Sequence, residues 1–261
     1  MKKLLYTIIL SLMLPVTSHA QVGKHRNDFA VGVNGGYLLS EVSFTPTIAQ
    51  KQLGGMTGGM TFRYVCEKYF KTICSVYAEV NYTQTGWKED IRDIADQPVR
   101  SLQVDPTTGQ LVAIGAPEAY QRNINYLQIP IFAHLAWGRE VSGFNFFFHA
   151  GPQFGIYLSE STKTNFNLET PNLTDRVNNT VAQYNMPVEH KFDYGIAVGG
   201  GAEFSLPKAG HFLAEARYYY GLGNMYGDTK RDFFANSNMT NIVVKLTYLF
   251  DVVKTKGQER K

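Results

Sequence analysis

Eight segments of the chain alternate apolar with small or polar residues at period two, and within them nearly every charge falls on the same side of the alternation. These segments are Phe29–Tyr37, Gly55–Val65, Ser75–Trp87, Tyr126–Trp137, Phe144–Leu158, Phe192–Ser205, Phe212–Leu222 and Asn241–Phe250. One face carries sets such as Met56/Met60/Phe62/Tyr64 and Ile242/Val244/Leu246/Tyr248/Phe250. The opposite face carries Asn34, Arg63, Glu79, Asn81, Asp193, Glu203, Glu215, Arg217 and Lys245. Period two makes each segment a strand with one apolar side. Two folds use such strands: a soluble sandwich or lipocalin-like barrel that buries the apolar faces, and a barrel in lipid that turns them outward.

The connectors separate the two. After the first strand they run long (38–54), short (66–74), long (88–125), short (138–143), long (159–191), short (206–211) and long (223–240). Strict alternation of long loops with short turns is the pattern of an up-and-down outer-membrane barrel, with the short turns periplasmic. Strands of about ten residues rise roughly 33 Å and, tilted near 45°, span roughly 24 Å, the height of the apolar band. Aromatic residues toward the strand ends (Tyr37, Tyr64, Trp87, Tyr126, Trp137, Tyr157, Tyr218, Tyr220, Tyr248, Phe250) are expected at the membrane interfaces. The fold expected is all-β: an eight-stranded antiparallel up-and-down transmembrane barrel with both termini periplasmic and four extracellular loops.

The N-terminus reads as a secretory signal peptide over 1–20. Lys2 and Lys3 precede an apolar run from Leu4 to Val16, and Ser18-His19-Ala20 forms a small-residue cleavage site. The barrel domain is then expected over 21–250 and a polar periplasmic tail over 251–261. Beyond Gln21 no apolar run is long enough for a membrane helix. Removing the two lysines leaves 23 basic against 22 acidic residues, a balance that gives no electrostatic case for nucleic acid.

Four stretches in this order resemble a known family: Glu79-Val80-Asn81-Tyr82-Thr83-Gln84 running into Gly86-Trp87, Asn125-Tyr126-Leu127-Gln128-Ile129-Pro130, Ala150-Gly151-Pro152, and Glu215-Ala216-Arg217-Tyr218 running into Gly221-Leu222. The chain resembles the outer-membrane β-barrel domain widespread in Bacteroidetes, called PorT-like or "porin family". The resemblance implies an eight-stranded barrel in a Bacteroidetes-type outer membrane. It also brings in a role in type IX protein secretion, which is implicated for the name-giving member and is an analogy here.

The charged interior is the most informative chemical feature. Arg217 is expected roughly opposite Lys245 with Glu215 diagonal to that lysine, and Arg63 and Glu79 are expected to face inward on adjacent strands in the same way. An eight-stranded interior is just wide enough for side chains to fill, so Arg63, Glu79, Glu203, Glu215, Arg217 and Lys245 are expected to interlock as ion pairs rather than line a pore. His134 and His149 point inward on neighbouring strands. A metal there would need further ligands that no motif supplies, so packing with satisfied nitrogens is expected.

Cys66 and Cys74, the only cysteines, flank the first short turn. A disulfide forms if they meet diagonally across the hairpin mouth and fails if they face opposite sides. His190, beside Glu189 and near Asp193, is the only histidine in a long loop and lacks the signature of a nucleophile elbow. Asp90, Asp93, Asp96, Asp105 and Glu118 do not match a calcium loop and read as solvated surface.

The function expected is non-enzymatic: a structural or interaction protein in contact with outer-membrane lipid, acting through its long loops or within an envelope complex. An accessory role in secretion is the alternative, and a hydrolase at the loop rim the third reading. No cofactor is inferred, because neither a metal motif nor a nucleotide-binding glycine fingerprint is present.

Overall fold

The computed structural model describes residues 24–139, 142–207, 209–227 and 233–255. The strands are β1 (Lys24–Thr45), β2 (Gln50–Lys51), β3 (Leu53–Tyr69), β4 (Thr72–Glu89), β5 (Arg100–Val104), β6 (Leu111–Pro117), β7 (Tyr120–Gly138), β8 (Gly143–Thr164), β9 (Phe192–Leu206), β10 (Gly210–Gly221) and β11 (Asn236–Val253). Eight of them close a ring of antiparallel neighbours in the order β1, β3, β4, β7, β8, β9, β10, β11 and back to β1. The short β2 adds to β4, and β5 and β6 form a separate hairpin in the second long loop.

The expected phase holds around the ring. Outward residues such as Val33, Met56, Phe146 and Leu246 are exposed, whereas Arg63, Glu79, Glu203, Glu215, Arg217 and Lys245 are buried in the lumen. At the short-turn end the polar tips of the outward aromatics are tied to the rim. Trp137 Nε1 donates to Thr72 Oγ1 (2.8 Å), Tyr64 Oη to Asn27 Oδ1 (2.6 Å) and Tyr248 Oη to the Ala209 carbonyl (2.6 Å). Tyr37, Tyr218 and Tyr220 lie exposed toward the other end, and Phe250 is exposed near the first.

Three of the expected interface aromatics face the other way. Trp87 is fully buried, Tyr126 is buried, and Tyr157 is half-buried against Tyr126 (ring centroids 6.3 Å). Parity explains all three: Trp87 lies an even number of residues from Glu79, Tyr126 from Gln128, and Tyr157 from Gln153, so each points into the lumen. The same parity places Tyr77, missed as an interior residue, fully inside.

The strands are longer than the alternation suggests. β1 and β8 each have 22 residues. At about 3.3 Å per residue and a 45° tilt that is roughly 50 Å, about twice the apolar band. The extra length lies on the long-loop side, where pairs such as Ser43 with Asn238 and Gln121 with Lys163 continue the ladder. Outside lipid neither face needs an apolar series, so the pattern fades while the hydrogen bonds continue. At the opposite end β11 runs past Phe250 to Val253, which makes Asp251 part of the barrel. The expected leader over 1–20 and residues 256–261 of the expected tail lie outside the described residues.

Cys66 and Cys74 are free thiols, so the disulfide that the sequence left open does not form. The register shifts between Val65 and Glu67, so Glu67 rather than Cys66 stands opposite Cys74. The Cys66 thiol instead lies 3.7 Å from the Tyr64 carbonyl. A bulge re-aims the residue it inserts.

Candidate functional site

The lumen is filled at mid-height by one ionic cluster. Glu79 accepts from Arg217 Nη1 (3.0 Å) and Nη2 (3.2 Å), from Asn81 Nδ2 (2.7 Å) and from the Lys245 ammonium. Glu215 takes Arg217 Nη2 at 2.6 Å and Lys245 Nζ at 3.3 Å. Two acids and two bases cancel, which is the condition for burying such charges at bearable cost. The Arg217 guanidinium also sits 4.5 Å from the centre of the Phe132 ring. Above the cluster, Asn34 Nδ2 donates to Asn81 Oδ1 and to Thr61 Oγ1 (both 2.8 Å), and the hydroxyls of Thr57 and Thr83 meet at 2.8 Å.

The register corrects the expected pairing. Glu215 stands directly opposite Lys245 and Arg217 opposite Val243, so Arg217 is the diagonal partner. Arg63 and Glu79 do face inward on adjacent strands, with Arg63 opposite Tyr77 and diagonal to Glu79, but Arg63 makes its ion pair across the lumen with Glu203 (2.7 Å).

His134 and His149 are register partners with ring centroids 5.8 Å apart. Their nitrogens are not satisfied, contrary to expectation: none of the four has a hydrogen-bond partner in the protein. Aromatic faces hold them instead. His149 stacks on Phe132 (4.5 Å), and His134 stacks on Tyr77 (5.3 Å) and on Phe147 (4.8 Å). Gly199 makes room for His149, since a Cβ there would lie 2.6 Å from Nε2. Among the described residues no three His, Cys, Asp or Glu side chains are placed so that they could hold a metal ion.

At the short-turn rim, His211 bridges two carboxylates: Nδ1 lies 2.7 Å from Glu203 and Nε2 3.1 Å from Asp251. Ser205 Oγ is 2.8 Å from the same Nδ1 and 3.2 Å from Glu203 Oε1. Ser205, Glu203, His211 and Asp251 thus join β9, β10 and β11, with Ser205 and Glu203 sharing the Nδ1 side of the ring. Sequence reasoning missed this junction by assigning Asp251 to a tail. At the other end His190 Nδ1 faces the Asn224 carbonyl (2.8 Å), while the Asp193 carboxylate accepts from Tyr219 Oη (2.7 Å).

The long loops fold over the barrel mouth as a cap. Phe44 packs against Trp87 (5.3 Å) and Phe234 (4.9 Å), and Tyr120 against Tyr184 (4.6 Å). The third loop is pinned across the mouth by its 3-10 turn Ala182–Tyr184. Arg122, 5.6 Å above the Trp87 ring, donates through Nη1 to the Gln183 carbonyl (3.1 Å), the Met186 carbonyl (2.5 Å) and Tyr226 Oη (3.0 Å). Arg176 pairs with Glu118 (2.6 Å) and donates to Tyr184 Oη (2.7 Å), which donates to Glu89 (2.8 Å). Glu118, expected as solvated surface, is buried, and loop packing that no periodicity encodes put it there.

Burial pushes the Glu89 carboxyl above its ordinary range, against the hydrogen bonds from Gln183 and Tyr184 that pull it down. A carboxyl whose folded pKa is raised binds its proton more tightly in the folded state. The part of the cap's stability that comes from Glu89 is therefore fully present below the ordinary glutamate pKa and is lost as pH rises through the raised value. Protection of the 180–186 amides, relative to their intrinsic exchange rates at each pH, is expected to fall along that rise, and Glu89→Gln is expected to flatten the dependence.

Residues 19–227 match the outer membrane protein beta-barrel domain. No curated protein matches. Among solved structures, the chain is similar to Ail, the attachment invasion locus protein of Yersinia pestis, at 12% identity, covering 85% of this chain and 99% of that one with a TM-score of 0.34. It is similar to Neisserial surface protein A at 11% identity, with 85% and 97% covered and a TM-score of 0.38. It is also similar to OprG of Pseudomonas aeruginosa at 11% identity, with 87% and 98% covered and a TM-score of 0.36. The family match spans most of the ring just described, and this integral outer-membrane protein belongs to the outer membrane protein beta-barrel domain family.

Proposed function

We propose that the chain is a non-enzymatic interaction protein of the outer membrane, oriented with both termini periplasmic and its cap facing outward. It works through the capped loop end, and its interior is a structural plug rather than a pore. The observation that carries this reading is the cap itself: a buried Glu118–Arg176 pair, with both side chains at most 2% exposed, orders loops that stand well clear of the lipid. Ordered loops on a rigid barrel present a fixed surface and lose little entropy on binding. The β5–β6 hairpin projects from that surface with Val104 and Leu111 more than half exposed. Its base is held by Asn172 Nδ2 on the Arg100 carbonyl and Asn165 Nδ2 on the Pro117 carbonyl (both 2.8 Å). Apolar residues on a two-stranded hairpin suit a protein partner that adds a strand.

The second reading is an accessory part in protein secretion in a Bacteroidetes-type envelope, supported by the PorT-like stretches around Gly86-Trp87 and Gly221-Leu222. Two measurements test these readings. The pure protein in planar bilayers is expected to give no sustained single-channel current, and steady conductance would overturn the plug. A tagged copy extracted in mild detergent is expected to bring down an envelope protein, and removing residues 101–116 should release it. Recovery of secretion components, with cargo lost on gene deletion, would favour the second reading; a lone particle would count against both.

A further inference from the structure

The outer wall of β4, β7 and β8 changes chemistry in register as it leaves the apolar band. Directly opposite residues of antiparallel neighbours share a face, so this wall carries transverse rows. Tyr82, Leu127 and Ile156 form its last wholly apolar row. Two residues higher stand Gln84, Asn125 and Ser159, and two higher again Gly86, Asn123 and Ser161. Gly86 and Asn123 are buried, which leaves Ser161 as the open hydrogen-bonding group of its row. The next row is Lys88, Gln121 and Lys163, and β2 extends it with Lys51 opposite Lys88.

Parity sets the direction of that row. Trp87 and Glu89, which flank Lys88, are buried inside, as are Tyr120 and Arg122 on either side of Gln121, so the row faces outward and all three lysines are exposed. Lys51 is neutralised by Asp90 at 2.8 Å, but among the described residues Lys88 and Lys163 have no ion-pair partner. Two strand spacings separate them, about 10 Å, which long flexible side chains close around a shared anion. Farther round the ring, Glu41 opposite Thr240 and Ser43 opposite Asn238 bring an acid and no cation, so the basic sector is local. Its height selects the ligand. Six residues lift the lysines about 20 Å along the strand, about 14 Å along the membrane normal at a 45° tilt, whereas the headgroup layer of a phospholipid is only about 5–7 Å deep.

We infer that the β4–β7–β8 wall is a binding site for a phosphorylated glycolipid of the outer leaflet. Its acyl chains lie along the apolar row, its sugars along the amide and hydroxyl rows, and a phosphate on those sugars between Lys88 and Lys163. The inference rests on the outward orientation of the cap proposed above, which places this wall in the outer leaflet.

The test uses the full-length barrel in dodecylmaltoside, titrated with a rough-type lipopolysaccharide that carries core phosphates, with its dephosphorylated form, and with phosphatidylglycerol. The phosphorylated glycolipid is expected to saturate, with the other two at least about tenfold weaker. Lys88→Gln and Lys163→Gln are each expected to weaken it about fivefold, and the double variant about thirtyfold. Asp90→Asn, which releases Lys51, is expected to tighten binding about fivefold by the same rule, and Lys71→Gln in the opposite turn to leave it unchanged. Circular dichroism confirms that each variant is folded. Labelling of Lys163→Cys on intact cells by a membrane-impermeant maleimide reads the orientation separately. With that labelling present, no saturable binding, phosphatidylglycerol bound as tightly, or affinity unmoved in the double variant would each overturn the inference alone. An unlabelled Lys163→Cys would overturn the orientation and the outer-leaflet ligand with it.

Discussion

Glu79→Leu is expected to lower the free energy of unfolding by about 3–5 kcal/mol, the cost of breaking a buried ion pair from one side. The substitution removes the acceptor shared by Arg217, Lys245 and Asn81, leaving two cations deep in the lumen with only Glu215 between them. Urea titration in lipid vesicles, followed by the fluorescence of Trp87 and Trp137, reads the change. The informative comparison adds partners: Glu79→Leu with Lys245→Met should cost clearly less than the two singles summed, because the second change removes a charge that the first stranded. Additive losses would mean that the cluster is not a unit.

Glu118→Ala is expected to act as strongly but locally. Arg176, its side chain only 2% exposed, would keep Tyr184 as a hydrogen-bond partner but lose its carboxylate. About 3–5 kcal/mol should be lost from the closed cap, enough to expose the third loop to protease. Limited proteolysis should cut between 172 and 188 at least tenfold faster than in the parent chain, while the urea midpoint of the barrel barely moves. A parallel drop in barrel stability would mean that cap and barrel unfold together. Loss of partner capture by the same variant would tie the cap to the proposed interaction.

Both predictions depend on facts of different origin. That Glu79, Glu203, Glu215, Arg63, Arg217 and Lys245 face the lumen was legible in the chain, because side-chain direction along a strand is a local property with a period of two. The same rule, applied without exception, would have placed Trp87, Tyr126 and Tyr157 inside. Reading them as interface residues weighed nearness to a strand end above parity. The count and order of the eight ring strands were legible too, since the turns and loops between them alternate in length, whereas β2, β5 and β6 inside the long loops were not. The bulge that turns Cys66 away from Cys74 was not, because one inserted residue leaves the composition of the turn unchanged.

Who meets whom across the lumen was settled only by closure of the ring. Arg63 on β3 finds Glu203 on β9, and Glu79 on β4 finds Arg217 on β10 and Lys245 on β11, each more than a hundred residues away. Those meetings depend on the stagger accumulated around eight strands, which no local segment encodes. The cap follows the same logic, since the burial of Glu118 needs Arg176 from a different loop. The sequence by itself determined which way each strand side chain points. The tertiary structure decided which charges neutralise one another across the lumen and which loop residues the cap buries.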